Sequence, residues 1–237
     1  MKIPKIIHQV YEDLSGPPEN LRILSESWKK NNPDWKYMFW TKSEMENLVN
    51  EFPDFEGIYH ELPFNVQRWD VIRYMILYKY GGLYVDMDYE CLKSLDSLLV
   101  STKCVLGLEP QEHAKKINSE YLPGNAFMAS VPNHPFWLAV IEYIKNLNLY
   151  NYNEESKVRY ILESTGPFMI NCVLNNYIDR DDITLIPDKL VAPLSQFELF
   201  ILNFLIKNEL ELTLDIKKKI EESYAIHYFL GGWYPDI

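Results

Sequence analysis

Asp86 and Asp88 stand two residues apart at the end of the short apolar run Leu83-Tyr84-Val85, directly behind Tyr80-Gly81-Gly82. Side chains two apart on an extended strand point to the same face, so both carboxylates address one point in space. Two anions that close repel each other unless a cation, water or a basic group relieves them. Oxygen ligands of this kind suit Mg2+ or Mn2+, which keep several waters and reach their substrates through phosphate oxygens. The pair therefore implies a divalent cation and a nucleotide-linked diphosphate. A solvated turn at a strand end has the same composition, so the neighbouring residues have to decide.

Asp70 and Arg73 lie on the stretch from Asn65 to Lys79, whose Trp69, Ile72, Ile76 and Tyr80 recur at helical spacing, with Gly81-Gly82 as permissive backbone where the helix stops. The two are i,i+3 neighbours on one side. They read equally well as a local salt bridge and as an arginine carried toward substrate charge by the helix that feeds the aspartates. His227, in Ala225-Ile226-His227-Tyr228-Phe229, is the only late histidine and an acceptable third ligand beside two carboxylates. The glycines after it let the tail fold over a ligand, with Trp233 helping to exclude water; a structural histidine beside a core tryptophan is the rival account.

The elements that must position these residues alternate. Lys5 to Val10 reads as a buried strand, and the loop with Gly16-Pro17-Pro18 follows it, as ligand loops do in open α/β sheets. Glu19 to Lys30 is helical in spacing, Trp35 to Trp40 alternates as a strand, and Thr41 or Ser43 caps a helix through Val49. Pro53 and Pro63 bound a less regular acidic stretch. Cys104 to Leu108 is a strand, Glu109 to Glu120 a long polar loop, and Gly124 to Ala129 passes near the site. A helix starts at Pro132-Asn133-His134-Pro135, Phe168 to Leu174 is helix-like behind a Ser164-Thr165-Gly166-Pro167 turn, and Thr184 to Ile186 is a short strand. Phe197 to Ile206 is apolar, and periodicity does not decide between strand and helix.

Composition narrows the function classes. The 237 residues are 47% hydrophobic, enough for a sizeable core, and read as one domain over 1-237. A formal charge of -11 repels nucleic acid and anionic membrane, and Lys217-Lys218-Lys219 reads as a solvated helix face. Cys91, Cys104 and Cys172 have no metal-like spacing, and their odd number argues against a paired disulfide framework, so a reducing cytosol fits. The chain opens on a strand-like segment with no signal-like run before it, and no later run approaches the roughly 20 apolar residues of a bilayer span, which leaves room for peripheral contact at the inner membrane face. Neither a P-loop nor G-x-G-x-x-G, G-x-S-x-G or H-E-x-x-H occurs.

Three runs, Ile3-Pro4-Lys5-Ile6-Ile7-His8-Gln9, Arg68 to Tyr74, and Leu77 to Asp88 with its Gly81-Gly82-Leu83-Tyr84-Val85-Asp86-Met87-Asp88, together resemble glycosyltransferase family 32, the DXD-containing sugar transferases that include the yeast initiating α-1,6-mannosyltransferase and bacterial capsular and lipopolysaccharide enzymes. Asn125, His134-Pro135, Thr165-Gly166-Pro167 and the ending around His227 and Trp233 add weaker marks. The resemblance implies an α/β GT-A fold, a Rossmann-like mixed central sheet flanked by helices. It implies a metal-dependent retaining hexosyltransferase that uses Mn2+ or Mg2+ and a nucleotide-diphosphate sugar, a UDP-sugar favoured over a GDP-sugar, with a saccharide or glycolipid acceptor in surface-glycan synthesis. By position, Asp88 and His227 would ligate the metal directly, and Asp86 would contact donor sugar or ribose and reach the metal through water. Asp70 and Arg73 would hold donor hydroxyls and assist the phosphates, and Asn125 would face the donor sugar. Val10 and Tyr11 would meet base or ribose, and Trp233 would cover the donor. The serine that often stands between glycine and tryptophan at the family's ending is Gly232 here, which weakens a hydroxyl contact to the diphosphate. A hydrolase of nucleotide sugars or other diphosphates, and a noncatalytic carbohydrate-binding module, are the alternatives from other classes.

Overall fold

A computed structural model of the protein describes residues 2–13, 15–147 and 156–231. The chain opens with β1 (Ile6–Val10), α1 (Glu19–Asn31), β2 (Lys36–Trp40), α2 (Lys42–Val49), α3 (Pro53–Glu61), α4 (Asn65–Tyr80) and β3 (Gly82–Val85). It continues through β4 (Tyr89–Cys91), β5 (Cys104–Leu108), α5 (Gln111–Lys115), β6 (Pro123–Ser130), α6 (Pro135–Lys145), α7 (Lys157–Ser164) and α8 (Pro167–Asn176). The last elements are β7 (Ile183–Ile186), α9 (Asp188–Val191), α10 (Gln196–Lys207), α11 (Leu214–Glu222) and β8 (Ala225–His227).

Six strands form one mixed sheet in the order β2-β1-β3-β6-β5-β7, while β4 and β8 make a separate two-stranded ribbon. β1 runs parallel to both β2 and β3, so their C-terminal ends share one edge of the sheet. β6 is antiparallel to both β3 and β5, and β7 is parallel to β5. Strand alternation sorts the core into two layers. Tyr84, Cys104, Leu106 and Met128 face a cluster that holds residues of α2, α3, α4, α6 and α8. Leu83, Val85, Val105, Phe127 and Ala129 face the opposite way, onto Trp28 of α1. The sheet is therefore covered on both faces, which is why its strands read as apolar runs rather than half-buried alternations.

The junction between α4 and β3 is the part of the fold that matters most for the site. α4 is buried on nearly every side, from Asp70 through Leu77 without a break. It ends at Gly81, φ +63, followed by Gly82, φ +88. A β-carbon on Gly82 would stand 2.6 Å from the Ile6 carbonyl oxygen, and one on Gly81 2.6 Å from that of Ser130. The glycines are thus required both by backbone conformation and by close approach. His8 locks the same junction. Its Nδ1 accepts from Trp40 Nε1 at 3.0 Å, so the proton sits on Nε2, which donates to the Gly81 carbonyl at 3.0 Å.

Four sequence readings are corrected or completed. Residues 53 to 61 are the regular helix α3, because Pro53 occupies its first turn, where no amide donor is needed, and Phe55 and Tyr59 turn into the core. Residues 197 to 206 are helical, a choice made by the Ser195–Glu198 capping box. Asp86 and Asp88 lie just past β3 rather than on it, in a tight connection in which the Tyr89 amide donates to the Asp86 carbonyl at 3.2 Å. Finally, Asp188–Lys207 spans 20 residues at mean hydropathy 1.4 and by length and composition does reach the range of a membrane span. Pro193 hides this in the sequence and divides the segment into α9 and α10.

Candidate metal and diphosphate site

The site forms where the C-terminal end of β3 meets the β4–β8 ribbon. Asp86 continues the sheet through its amide, which donates to the Ala126 carbonyl at 2.9 Å, and Gln9 of β1 donates from Nε2 to the Asp86 carbonyl at 3.1 Å. Register between β4 and β8 puts Tyr89 opposite His227. The ring of His227 stacks on Tyr89, centroids 4.2 Å apart, and lies 3.8 Å from that of Phe229. One ligand atom each from Asp86, Asp88 and His227 lies within 4.8 Å of the other two, a spacing that a single divalent ion can bridge.

The electrostatics fit such an ion. Burial pushes the Asp86 carboxyl up, against the pull of Arg73, and the neighbouring charge of Asp88 pushes it further. Burial acts the same way on Asp88, but the His227 charge, its hydrogen bond and the Leu230 amide together leave the Asp88 carboxyl below its ordinary value. His227 would be neutralised by burial alone; Asp88, 3.3 Å from its Nε2, raises it instead. Its Nδ1 is buried without a hydrogen-bond partner among the described residues. Two carboxylates and an imidazole, with no basic side chain but that imidazole paired with Asp88 among the described residues, make a donor set suited to Mn2+ or Mg2+.

Arg73 holds the other side together. Its Nη2 is 3.2 Å from Asp70 Oδ1, its Nη1 3.2 Å from Asp86 Oδ1, and Nη1 also donates to the Asn125 carbonyl at 2.8 Å. The guanidinium lies over the Tyr84 ring, 4.9 Å from its centroid. Burial opposes its charge, yet Asp86, Tyr84 and Asp70 more than reverse that, and it stays a cation. Asp70 is pushed up to about 7 by burial, with Arg73, Thr165 and Asn125 working in the other direction. Thr165 donates to Asp70 Oδ2 at 2.7 Å and Asn125 Nδ2 to Oδ1 at 2.9 Å. Both sequence readings of the Asp70–Arg73 pair therefore have geometry behind them: the local ion pair exists, and the arginine reaches the first aspartate.

The structure brings Asp70, Arg73, Asp86, Asp88, Asn125 and His227 into one connected group. Val10 and Tyr11 lie on the same sheet edge but outside it: Val10 packs against the larger core, and the Tyr11 amide donates to the Trp40 carbonyl at 3.0 Å. Trp233 falls outside the described residues. Sequence reasoning did not assign roles to Tyr84, whose hydroxyl donates to Asp86 Oδ1 at 2.7 Å, or to Gln9, Tyr74 and Thr165. It placed Glu109 and His113 only within a polar loop suited to a surface or substrate role; the two lie 3.0 Å apart, and His113 stands edge-on to Phe229. Tyr84 sits two before Asp86, on the same strand face, which was a usable signal.

Residues 18–105 match the family model described as a glycosyltransferase sugar-binding region containing the DXD motif. A glycosyltransferase of Acanthamoeba polyphaga mimivirus is 34% identical over 199 residues, which cover 81% of this chain and 73% of the viral protein. The chain belongs to the DXD-motif glycosyltransferases. Inositol phosphoceramide mannosyltransferase 1 of Schizosaccharomyces pombe is 31% identical over 182 residues, 75% of this chain and 53% of the yeast protein. The glycosyltransferase thus spans about half the length of the fungal relatives it matches. Among solved structures, the PaToxG glycosyltransferase superposes with a TM-score of 0.56 at 16% identity, over 94% of this chain and 89% of that one. The fold is the mixed α/β, Rossmann-like GT-A arrangement, and the protein is an enzyme of the glycosyltransferase type.

Proposed function

We propose that this glycosyltransferase is a metal-dependent, retaining hexosyltransferase of glycosyltransferase family 32, taking its sugar from a nucleoside diphosphate. The observation that carries the reading is the convergence of Asp86, Asp88 and His227 within 4.8 Å beside an arginine already bridging Asp70 and Asp86. The relatives' names favour mannose as the hexose and an inositol-phosphate-bearing ceramide, a glycolipid, as the acceptor. The uridine nucleotide that the family resemblance implies enters as the first base to test, with guanosine beside it.

Asp86, Asp88 and His227 would hold Mn2+ or Mg2+, which supplies charge neutralisation of a departing diphosphate. The remaining work belongs to the chain. Arg73, fixed by two carboxylates and a carbonyl, cannot swing away, so its positive charge is already in place where negative charge develops. Asp70, held by Thr165 and Asn125, presents its remaining accepting capacity to donor hydroxyls. A preorganised set of this kind lowers the barrier by orientation rather than by a nucleophile of its own.

Turnover of a panel of UDP- and GDP-hexoses with Mn2+, with and without saccharide and inositol-phosphate lipid acceptors, tests the reading. Expected is nucleotide release from one donor that requires both metal and acceptor. Release at the same rate without acceptor would make the protein a nucleotide-sugar hydrolase, and nucleotide binding indifferent to Mn2+ would remove the metal from the mechanism.

A further inference from the structure

Half of the large apolar side chains that the described residues leave exposed, six of twelve, fall between residues 197 and 214. Helical spacing places Phe197, Phe200 and Phe204 on one stripe of α10, and they are 70%, 68% and 53% exposed. Leu199 and Leu202 lie on the opposite stripe and are buried with Ile216 and Ile226. The outward stripe carries no charge until Lys207 closes its C-terminal end, and Glu198 turns to Ser195 and Lys219 instead. Ile206, Leu210 and Leu214 extend the exposed apolar surface into the connection to α11. Scattered exposed leucines are ordinary, but three phenylalanines on one helix face are an interaction surface.

The helix that carries the patch packs, through its opposite face, on the strand that bears His227. Ile226, beneath α10, immediately precedes His227, and Tyr228 and Phe229 pack on the same small cluster. Leu230, itself exposed, donates its amide to Asp88 Oδ2 at 2.9 Å. At its other end the Gln196 amide reaches Glu112 of α5 at 3.3 Å.

We propose that the outward face of α10, with Ile206, Leu210 and Leu214, rests in the surface of a lipid bilayer. A helix that is apolar outward and shallowly packed inward lies in an interface rather than across it, and the interruption at Pro193 divides the only membrane-length apolar segment among the described residues. The formal charge of -11 selects the lipid: a neutral, zwitterionic surface accepts the rings without repulsion, whereas an anionic one opposes them. The choice of a bilayer over a protein partner rests on the proposed glycolipid acceptor, which would be delivered from that same surface.

Flotation of the full chain with phosphatidylcholine vesicles tests the proposal without donor or acceptor. Expected is co-flotation that is insensitive to salt, and a fall in partitioning of roughly a hundredfold in the Phe197→Ser, Phe200→Ser, Phe204→Ser variant. The variant should keep Mn2+-dependent nucleotide binding and the wild-type far-UV spectrum. A wild type that stays at the bottom of the gradient, or a variant that floats equally well, overturns the proposal. So does a wild type that forms a concentration-dependent dimer, abolished by the triple substitution, without floating. If the triple variant does not fold, Phe200→Trp reports instead: its emission should be quenched by brominated phosphatidylcholine, and unquenched emission overturns the docking face. Flotation combined with transfer only to water-soluble sugars would keep the membrane surface and sink the glycolipid reading, so the two fail separately.

Discussion

The two halves of the site are held in place by different means. On the α4–β3 side, Asp70, Arg73, Asp86 and Asn125 sit in a buried polar lattice closed by Tyr84, Thr165 and Gln9, anchored on the central sheet. On the β8 side, His227 hangs from a two-stranded ribbon, wedged between aromatic rings and tied to the rest of the site mainly through Asp88. The first half gains rigidity from charges that pair with one another, with Asp86 left partly exposed; the second gains its position from packing, and its polar contacts are the Asp88–His227 pair and the Leu230 amide. One region of the same site thus couples function to stability, and the other largely separates them.

Asp88→Asn sharpens that contrast most. It preserves shape and an acceptor for the Leu230 amide, so the unfolding midpoint should stay within a few degrees of wild type. Transfer should fall on the order of a thousandfold, the equivalent of several kcal/mol of lost charge neutralisation. Arg73→Leu should do the reverse in emphasis: it strands Asp70 and Asp86 in a buried environment and should cost about 3–5 kcal/mol of stability, read by urea titration. Equal loss of stability in the two variants would break the comparison, because the ribbon side would then be as structural as the lattice side.

A smaller effect on the same axis is expected from Gly82→Ala. Its φ of +88 disfavours any β-carbon, and the carbonyl of Ile6 would lie 2.6 Å away, so the β1–β3 pairing must open. About 2–3 kcal/mol of destabilisation follows from strain and overpacking together. Asp86 should move with the strand. Unchanged stability would mean that the junction has slack and that Arg73 alone places the first aspartate.

What could be read from the sequence divides along the same line. Asp70, Arg73, Gly81, Gly82, Asp86 and Asp88 lie within 19 residues of one another, and local rules of helix spacing, glycine conformation and strand ends were sufficient to group them. His227 was legible from its ligand type and the family resemblance but not from any local pattern, because β4 is three residues long and its pairing with β8 spans well over a hundred residues of chain. The helical state of α10 was hidden by a composition that alternates phenylalanine with leucine and isoleucine, which buries equally well in either period; the cap at Ser195 is the only local clue. Asn125 was named from the family resemblance, but its side chain turned out to be committed to Asp70 and Tyr74, a partnership across more than 50 residues that no spacing rule reaches.

The smallest expected effect, a pH dependence, probes the lattice side from beneath. His8 is fully buried, and burial lowers its pKa from 6.5 to about 4, with the Gly81 carbonyl acting in the opposite direction and Lys36 reinforcing the burial. A folded-state value below the unfolded one means that the unfolded chain binds the extra proton first. The contribution of neutral His8 is therefore complete above about pH 6.5 and is lost as the pH falls toward 4, by up to roughly 3 kcal/mol. Carboxylates titrate in part of that window, so the quantity to measure is the difference between wild type and His8→Asn in urea titrations at several pH values. The difference should shrink steadily from pH 7 to pH 4.5. A difference independent of pH would show that the imidazole can take its proton in place, with Nδ1 turned from the Trp40 indole, and the α4–β3 junction would then owe its position to Gly81 and Gly82 rather than to the histidine beneath them.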